Sequence, residues 1–232
     1  MHRFLVSIPL TKEIIIPTGE LYHQIVHVFR ARIGENVILF SEGTDDMIYQ
    51  ITAISKKNIS LSFQRNIQNP YLRNPRNLIV FQAYPNKLST LELLIQKFTE
   101  LGVEKVVFWK SEHAQMQDIS EAKKSRIVTI AREALEQCGA NTSLQIEYSS
   151  QGPQKLLEAY SGHTHIVGHY EGKELPEISQ ETPVALWVGP EGGWSASEKQ
   201  FFKKNKMTLW KFNNRILRLE TAAIVGVGIL LS

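Results

Sequence analysis

Residues 78–109 read LIVFQAYPNKLSTLELLIQKFTELGVEKVVFW, and this stretch decides the fold class. Leu78–Ala83 is an apolar run broken by one glutamine, the pattern of a strand buried on both faces. Leu88, Leu91, Leu94, Ile95, Phe98 and Leu101 then recur at helical spacing and form one apolar stripe. Gly102 closes that helix, and Val103–Trp109 returns to strand. A strand, a crossover helix and a second strand make a βαβ unit.

The same alternation continues toward the C-terminus. A helix is predicted over Ser120–Cys138, with Ile127, Ile130, Ala131, Ala134, Leu135 and Cys138 inward. Thr164–Val167, Val184–Val188 and Thr208–Phe212 read as further short strands, and AAIVGVGILL (residues 222–231) as a helix of small residues that packs closely on another helix, within the chain or across a dimer. Strands alternating with helices predict an α/β domain whose largely parallel sheet is covered on both faces.

Upstream the pattern is different. Phe4–Ile8, Asn36–Phe40 and Met47–Ile54 read as strands, and Ile59, Leu61 and Phe63 alternate as one buried sheet face requires. SEGTDD (Ser41–Asp46) is a hairpin-type loop, and Leu21–Arg30 is the one helical stretch. These features predict a small β-barrel-like domain over residues 1–68. QNPYLRNPRN (Gln68–Asn77) has no period and two prolines, so residues 69–77 read as a linker to an α/β domain over 78–232.

Composition narrows the class. The hydrophobic fraction of 43% in 232 residues supports real cores. A formal charge of +3 is compatible with nucleic-acid binding without requiring it. The single cysteine, Cys138, can form neither an internal disulfide nor a metal cluster, and the seven histidines show no HxxxH or HExxH spacing, so no metal is expected. MHRFLVSIPL lacks the apolar core of a secretory signal, and Ala222–Leu231 is too short to span a bilayer. The expectation is a soluble cytoplasmic protein.

Ligands of open α/β sheets bind beyond the carboxyl ends of the strands. Three loops qualify: GHYEG (Gly168–Gly172), GPEGG (Gly189–Gly193) and NNRILRLET (Asn213–Thr221). Ser195 and Glu198 have capping-box spacing, so a helix begins just after GPEGG. The glycines before it would let a ligand lie against bare backbone, and they equally suit a tight turn with no ligand. A P-loop would need Lys-Ser/Thr where Trp194 and Ser195 stand, and Gly226-Val227-Gly228 has no third glycine for a dinucleotide fingerprint. Arg215 and Arg218 offer guanidinium forks for phosphate or base carbonyls, with structural ion pairs as the alternative. His2 and Arg3 with Arg30 and Arg32 would give the small domain a basic surface; Lys87 follows a strand end, and Lys97 stands three residues before Glu100, as an ion pair would.

KLSTLELLIQKFTELGVEKV (Lys87–Val106), EALEQCG (Glu133–Gly139), WVGPEGGWSASE (Trp187–Glu198) and RILRLETAA (Arg215–Ala223) occur in that order in the RsmE family, which this sequence resembles. HVFRARIGE followed by LFSEG is similar to that family's N-terminal PUA-like barrel. These are SPOUT-class methyltransferases that act on N3 of a decoding-region uridine in 16S ribosomal RNA. The resemblance implies a trefoil-knotted sheet that binds S-adenosylmethionine, and a homodimer. It places the cofactor against Gly168, Gly189, Pro190, Glu191, Gly192 and Gly193, and against Leu217, Arg218, Leu219, Thr221 and Ala222. It makes Arg218 the candidate to stabilise developing charge, with Glu191 or Glu220 to position a group or take the proton. Arg3, Arg30, Arg32, Lys87 and Lys97 become RNA-contact candidates. The sequence departs from the family's usual pattern at Thr90, Ala140, Leu144, Asn213 and Leu219. The competing readings are a SPOUT enzyme for another RNA site and a non-catalytic RNA-binding assembly factor.

Overall fold

The computed structural model describes residues 1–69, 76–116 and 119–232. They form two compact units, Met1–Arg73 with Leu135–Thr142, and Asn74–Ala134 with Ser143–Ser232. Most of the expected linker, residues 70–75, lies outside the described residues. Among the described residues, no helix is long and apolar enough to cross a membrane.

In the first unit β1 (Arg3–Leu5), β2 (Glu13–Pro17), β3 (Asn36–Phe40), β4 (Asp46–Ile54) and β5 (Asn58–Ile67) lie in the order β1-β3-β4-β5-β2. β1 pairs with β3 in parallel, and the other pairs are antiparallel. Register shifts after Ile48 and Ile51 bend β4, so the sheet curls around its core as a half-barrel with β1 and β2 as edges. The expected alternation is present: Ile59 and Leu61 are buried, and Phe63 packs at the margin. β2 is not legible in the sequence because Ile14, Ile15 and Ile16 are consecutive, so its alternation shows in burial, with Ile15 exposed between two buried neighbours, and not in residue type. The predicted helix over Leu21–Arg30 is a single α-turn, α1 (Glu20–His23), continued by a π-helical turn (Gln24–Val28).

The second unit contains β6 (Leu78–Ala83), α2 (Leu88–Leu101), β7 (Lys105–Trp109), most of α3 (Glu121–Cys138), β8 (Gln145–Ser149) and α4 (Pro153–Ala159). It continues through β9 (Thr164–Lys173), β10 (Val184–Val188), α5 (Ala196–Lys204), β11 (Thr208–Trp210) and α6 (Leu219–Leu231). The six strands run in the order β11-β9-β10-β6-β7-β8, and every neighbouring pair is parallel. β8 and α4 were not foreseen, because the half-exposed edge strand QIEYS has no apolar run.

The pleat divides the strand residues between two cores. Leu78, Val80, Val106, Phe108, Leu186 and Val188 face one way and meet α2 and α6. Ile79, Phe81, Val107, Trp109, Ala185 and Trp187 face the other way, toward Leu156 of α4 and Phe202 of α5. On α2, Leu91, Leu94, Ile95 and Phe98 are fully buried, which contributes about 2 kcal/mol each. Gly102 ends that helix in the left-handed region at φ 78°. Among the small residues of α6, Gly226 serves close packing inside this unit, while a Cβ on Gly228 would meet nothing within 4 Å. A Cβ on Gly226 would stand 3.0 Å from the Phe212 ring and 3.2 Å from Leu186.

From β6 the chain steps outward to β7 and β8, then crosses over to build β9, β10 and β11 on the far side of β6. β10 and β6 are therefore neighbours at the point where strand order reverses. Loops leaving their carboxyl ends diverge there and open a crevice.

Candidate active site

A cavity of about 790 Å³ occupies that crevice, lined by the segments that follow β6, β10 and β11, by Gly168–Tyr170 within β9 and by the start of α6. Its volume falls within the roughly 300–1,000 Å³ of small-molecule sites.

The loop after β10 is tied down on three sides. Its turn is closed by the Gly193 N–H donating to the Pro190 carbonyl at 2.9 Å. The Glu191 carboxylate accepts the Asn86 backbone N–H at 2.9 Å, which joins this loop to the one after β6. His113 Nδ1 lies 3.0 Å from the Gly193 carbonyl, and donates to it as the Nδ1–H tautomer. Behind the turn, α5 starts with the capping box that the spacing predicts: Ser195 Oγ accepts from the Glu198 N–H, and the Glu198 carboxylate accepts from the Ser195 N–H. Glu198 is only 3% exposed. Its carboxylate also accepts the Ser111 hydroxyl at 2.7 Å and the Glu112 N–H at 3.1 Å, so one buried acid fixes the loop after β7 to the base of the GPEGG turn. Beside it the Ser197 hydroxyl donates to Glu112, and the Ser197 and Ser195 hydroxyls hold that carboxyl below the usual carboxylate range.

The aromatic rings packed on two of the glycines leave little or no room for a side chain. A Cβ on Gly189 would stand 3.0 Å from the Trp194 ring, and one on Gly168 would stand 2.6 Å from the Phe212 ring. Internal aromatic packing by itself requires glycine at Gly168 and leaves little room for more at Gly189. The Trp194 indole N–H then donates to the Gly168 carbonyl at 2.9 Å, locking β9 to the loop after β10.

β9 contributes an irregularity that no local pattern announces. Val167 pairs with Leu209 of β11, yet the next β11 residue, Trp210, pairs with Lys173. Gly168–Gly172 therefore bulge out of that ladder. His169 and Tyr170, within the bulge, both line the cavity. His169 Nδ1 accepts the Glu171 N–H at 3.1 Å, so the neutral ring carries its proton on Nε2. Burial, and then the Lys199 ammonium, push the His169 pKa down and favour that neutral form. The sequence reading named this loop but neither of these side chains.

Lys87, Lys199, Lys211, Arg215 and Arg218 all line the cavity, against the acids Glu191 and Glu220. Arg218 is the N-cap residue of α6, and its carbonyl accepts the Ala222 N–H at 2.8 Å. Its side chain is exposed, and among the described residues the guanidinium makes no hydrogen bond or ion pair. A basic cavity with apolar walls at Val188, Leu217 and Leu219 can hold a flat heterocycle and attract an anion.

A family model described as an RNA methyltransferase domain matches residues 72–231. The chain belongs to that family. Among curated proteins it is similar to ribosomal RNA small subunit methyltransferase E of Bacillus subtilis, 27% identical over 225 residues, covering 91% of this chain and 87% of the relative. The enzyme of the same description from Helicobacter pylori strain 26695 is 28% identical over 227 residues, covering 95% and 96%. Among solved structures it shares its fold with a ribosomal RNA small subunit methyltransferase E from Neisseria gonorrhoeae bound to S-adenosylmethionine: TM-score 0.84, 24% identity, 99% of this chain and 96% of that one. A putative methyltransferase from Legionella pneumophila, in complex with the same cofactor, aligns with TM-score 0.83 at 24% identity, covering 98% and 96%.

Most of the candidate residues of this RNA methyltransferase domain converge. Gly168, Gly189, Pro190, Glu191, Gly192 and Gly193 line the cavity from two loops. Leu217, Arg218, Leu219, Glu220 and Ala222 line it from a third, with Lys87 beside them. Thr221 is exposed and does not line it. Lys97 lies away from the cavity, with its ammonium 2.8 Å from Glu100, the ion pair its spacing suggests. Arg30 and Arg32 are exposed on the first unit, Arg30 in the left-handed region at φ 53°.

Arg3 is not the surface cation that the basic patch required. Its guanidinium donates twice to Asp46 at 2.8 Å and once to the Ala140 carbonyl at 2.7 Å, and its side chain is 8% exposed. It also lies 3.5 Å from the centre of the Phe40 ring. Arg3 holds Leu135–Thr142 within the first unit, helped by Asn69 Nδ2, which donates to Asp46 and to the Gly139 carbonyl.

Proposed function

We propose that this chain methylates N3 of a decoding-region uridine in the 16S ribosomal RNA of the small subunit, using S-adenosylmethionine. The observation that carries this reading is the unpaired Arg218 at a basic cavity located where strand order reverses. Family membership and the names of the relatives support the reaction class and the RNA. The residues present suit the cofactor. Backbone from Gly168 and from Gly189–Gly193, with the side chains of Leu217, Leu219 and Ala222, would hold a flat nucleoside. A Cβ built on Gly193 meets no atom within 4 Å, so that side of the turn is open.

S-adenosylmethionine supplies a methyl group on a sulfonium; uridine N3 takes it as the S–C bond breaks and its electron pair stays on sulfur. The chain's own residues must manage the N3 proton and the charge that follows. Arg218 donates to a uracil carbonyl oxygen as negative charge gathers there. One oxygen of Glu191 already accepts the Asn86 N–H, so Glu191 holds the loop and Glu220, in the first turn of α6, accepts the proton. The uridine enters unpaired, because pairing hides N3.

In the same reading, residues 78–232 form a trefoil-knotted SPOUT domain, and residues 1–68 form a PUA-like domain that holds RNA through Arg30 and Arg32. A cytoplasmic homodimer completes the account. The test replaces Arg218 with Ala and supplies labelled S-adenosylmethionine and small ribosomal subunits lacking the modification. Turnover falls about 100-fold or more while cofactor affinity holds within a few-fold; unchanged turnover removes Arg218 from this role.

A further inference from the structure

The bulge in β9 is a built feature. A Cβ on Gly168 would meet the Phe212 ring at 2.6 Å, and one on Gly172 would meet the backbone of Leu209 at 2.7 Å. Glycine at both ends lets five residues leave the ladder without opening the strands around them. Two aromatic rings ride in that bulge. His169 and Tyr170 are stacked, with centroids 4.9 Å apart and planes 18° apart.

The two rings differ in exposure. His169 is buried and fixed by the Glu171 N–H, whereas Tyr170 is 57% exposed at the cavity. A large flat ring is thus held out at the mouth of a basic cavity with a rigid ring behind it. Lys199 Nζ stands 5.8 Å from the Tyr170 ring centre, and Lys211 and Arg215 line the same cavity. An aromatic face beside one cation, in a cavity lined by others, is the chemistry that binds an unpaired nucleotide, with the base on the ring and the phosphate on the charges.

We propose that Tyr170, braced by His169, is the platform on which an unpaired base of the RNA substrate stacks. Naming RNA as the ligand rests on the methyltransferase reading. The adenine of the cofactor has the same ring chemistry, so the experiment must separate the two sources.

The full chain and its Tyr170→Ala, Tyr170→Phe and Tyr170→Trp variants are titrated with fluorescein-labelled oligouridine by anisotropy, and with S-adenosylmethionine by calorimetry. Tyr170→Ala weakens oligouridine binding about tenfold or more, while Phe and Trp at this position retain it. Cofactor affinity is the same in all four proteins. Equal oligouridine affinity in Tyr170→Ala and wild type overturns the proposal, as does a wild type that fails to bind oligouridine. Loss of cofactor affinity with RNA affinity unchanged assigns the ring to adenine and overturns it too. Because the comparison reads binding, a wild type without methyl transfer sinks the methyltransferase reading and leaves the platform standing.

Discussion

Glu198→Ala tests whether one buried carboxylate assembles the cavity's rear wall. The wild-type carboxylate accepts three donors: the Ser195 N–H at 2.8 Å, the Ser111 hydroxyl at 2.7 Å and the Glu112 N–H at 3.1 Å. Ser111 and Ser195 are buried with it. Truncation removes the N3 half of the capping box and strands those donors at a cost of about 1–3 kcal/mol per unsatisfied group. Water admitted to the vacated space recovers part of that, so the net loss is about 3 kcal/mol. For a unit of this size each kcal/mol moves the melting temperature by roughly 2–4 °C, so the expected drop is roughly 6–12 °C. Thermal and urea unfolding followed by circular dichroism measure it. Glu198→Gln keeps the shape but turns an amide toward donors, and recovers only part of the loss. The same variants lose cofactor affinity, because Ser195 directly follows Gly189–Trp194. A Glu198→Ala protein that melts within about 1 °C of wild type, well inside the margin set by that scaling, would refute the reasoning.

Arg3→Ala leaves Asp46, whose side chain is 12% exposed, without its bidentate partner; removing one member of such a pair costs about 3–5 kcal/mol. Hydrogen exchange at the β3 and β4 amides accelerates accordingly, whereas a surface RNA-contact role predicts unchanged exchange. The pH dependence follows from three histidines, His163, His165 and His169, all of whose pKa values burial pushes down. The unfolded chain takes up these protons first as pH falls through about 6.5. Stability is therefore fully present above that pH and declines below it, as urea midpoints between about pH 7.5 and 5.5 will register. Protonating His165 also breaks the 3.0 Å bond that its Nδ1 accepts from the Trp187 indole.

Much of the second unit was legible because its information is local. Leu78–Ala83, Leu88–Leu101 and Val184–Val188 have the observed bounds, since an unbroken apolar run or a helical stripe is set by neighbours in sequence. The capping box at Ser195 and Glu198 was legible for the same reason. Its further bonds to Ser111 and Glu112 were not, because residues 87 and 86 positions away leave no mark on a helix signature. The β9 bulge depends on pairing between distant segments, so the sequence showed glycines without showing what they allow. Arg3 misled for a related reason. Cationic residue type suggested a surface role, while Asp46 and the carbonyls of Leu135 and Ala140 gave it an internal one.

The most direct measurement mixes the purified protein with labelled S-adenosylmethionine and small ribosomal subunits lacking the modification, then maps the label in the RNA by mass spectrometry. The account predicts label in 16S ribosomal RNA, on N3 of a single uridine. Label on another base atom or another RNA, or none while the cofactor binds, contradicts it.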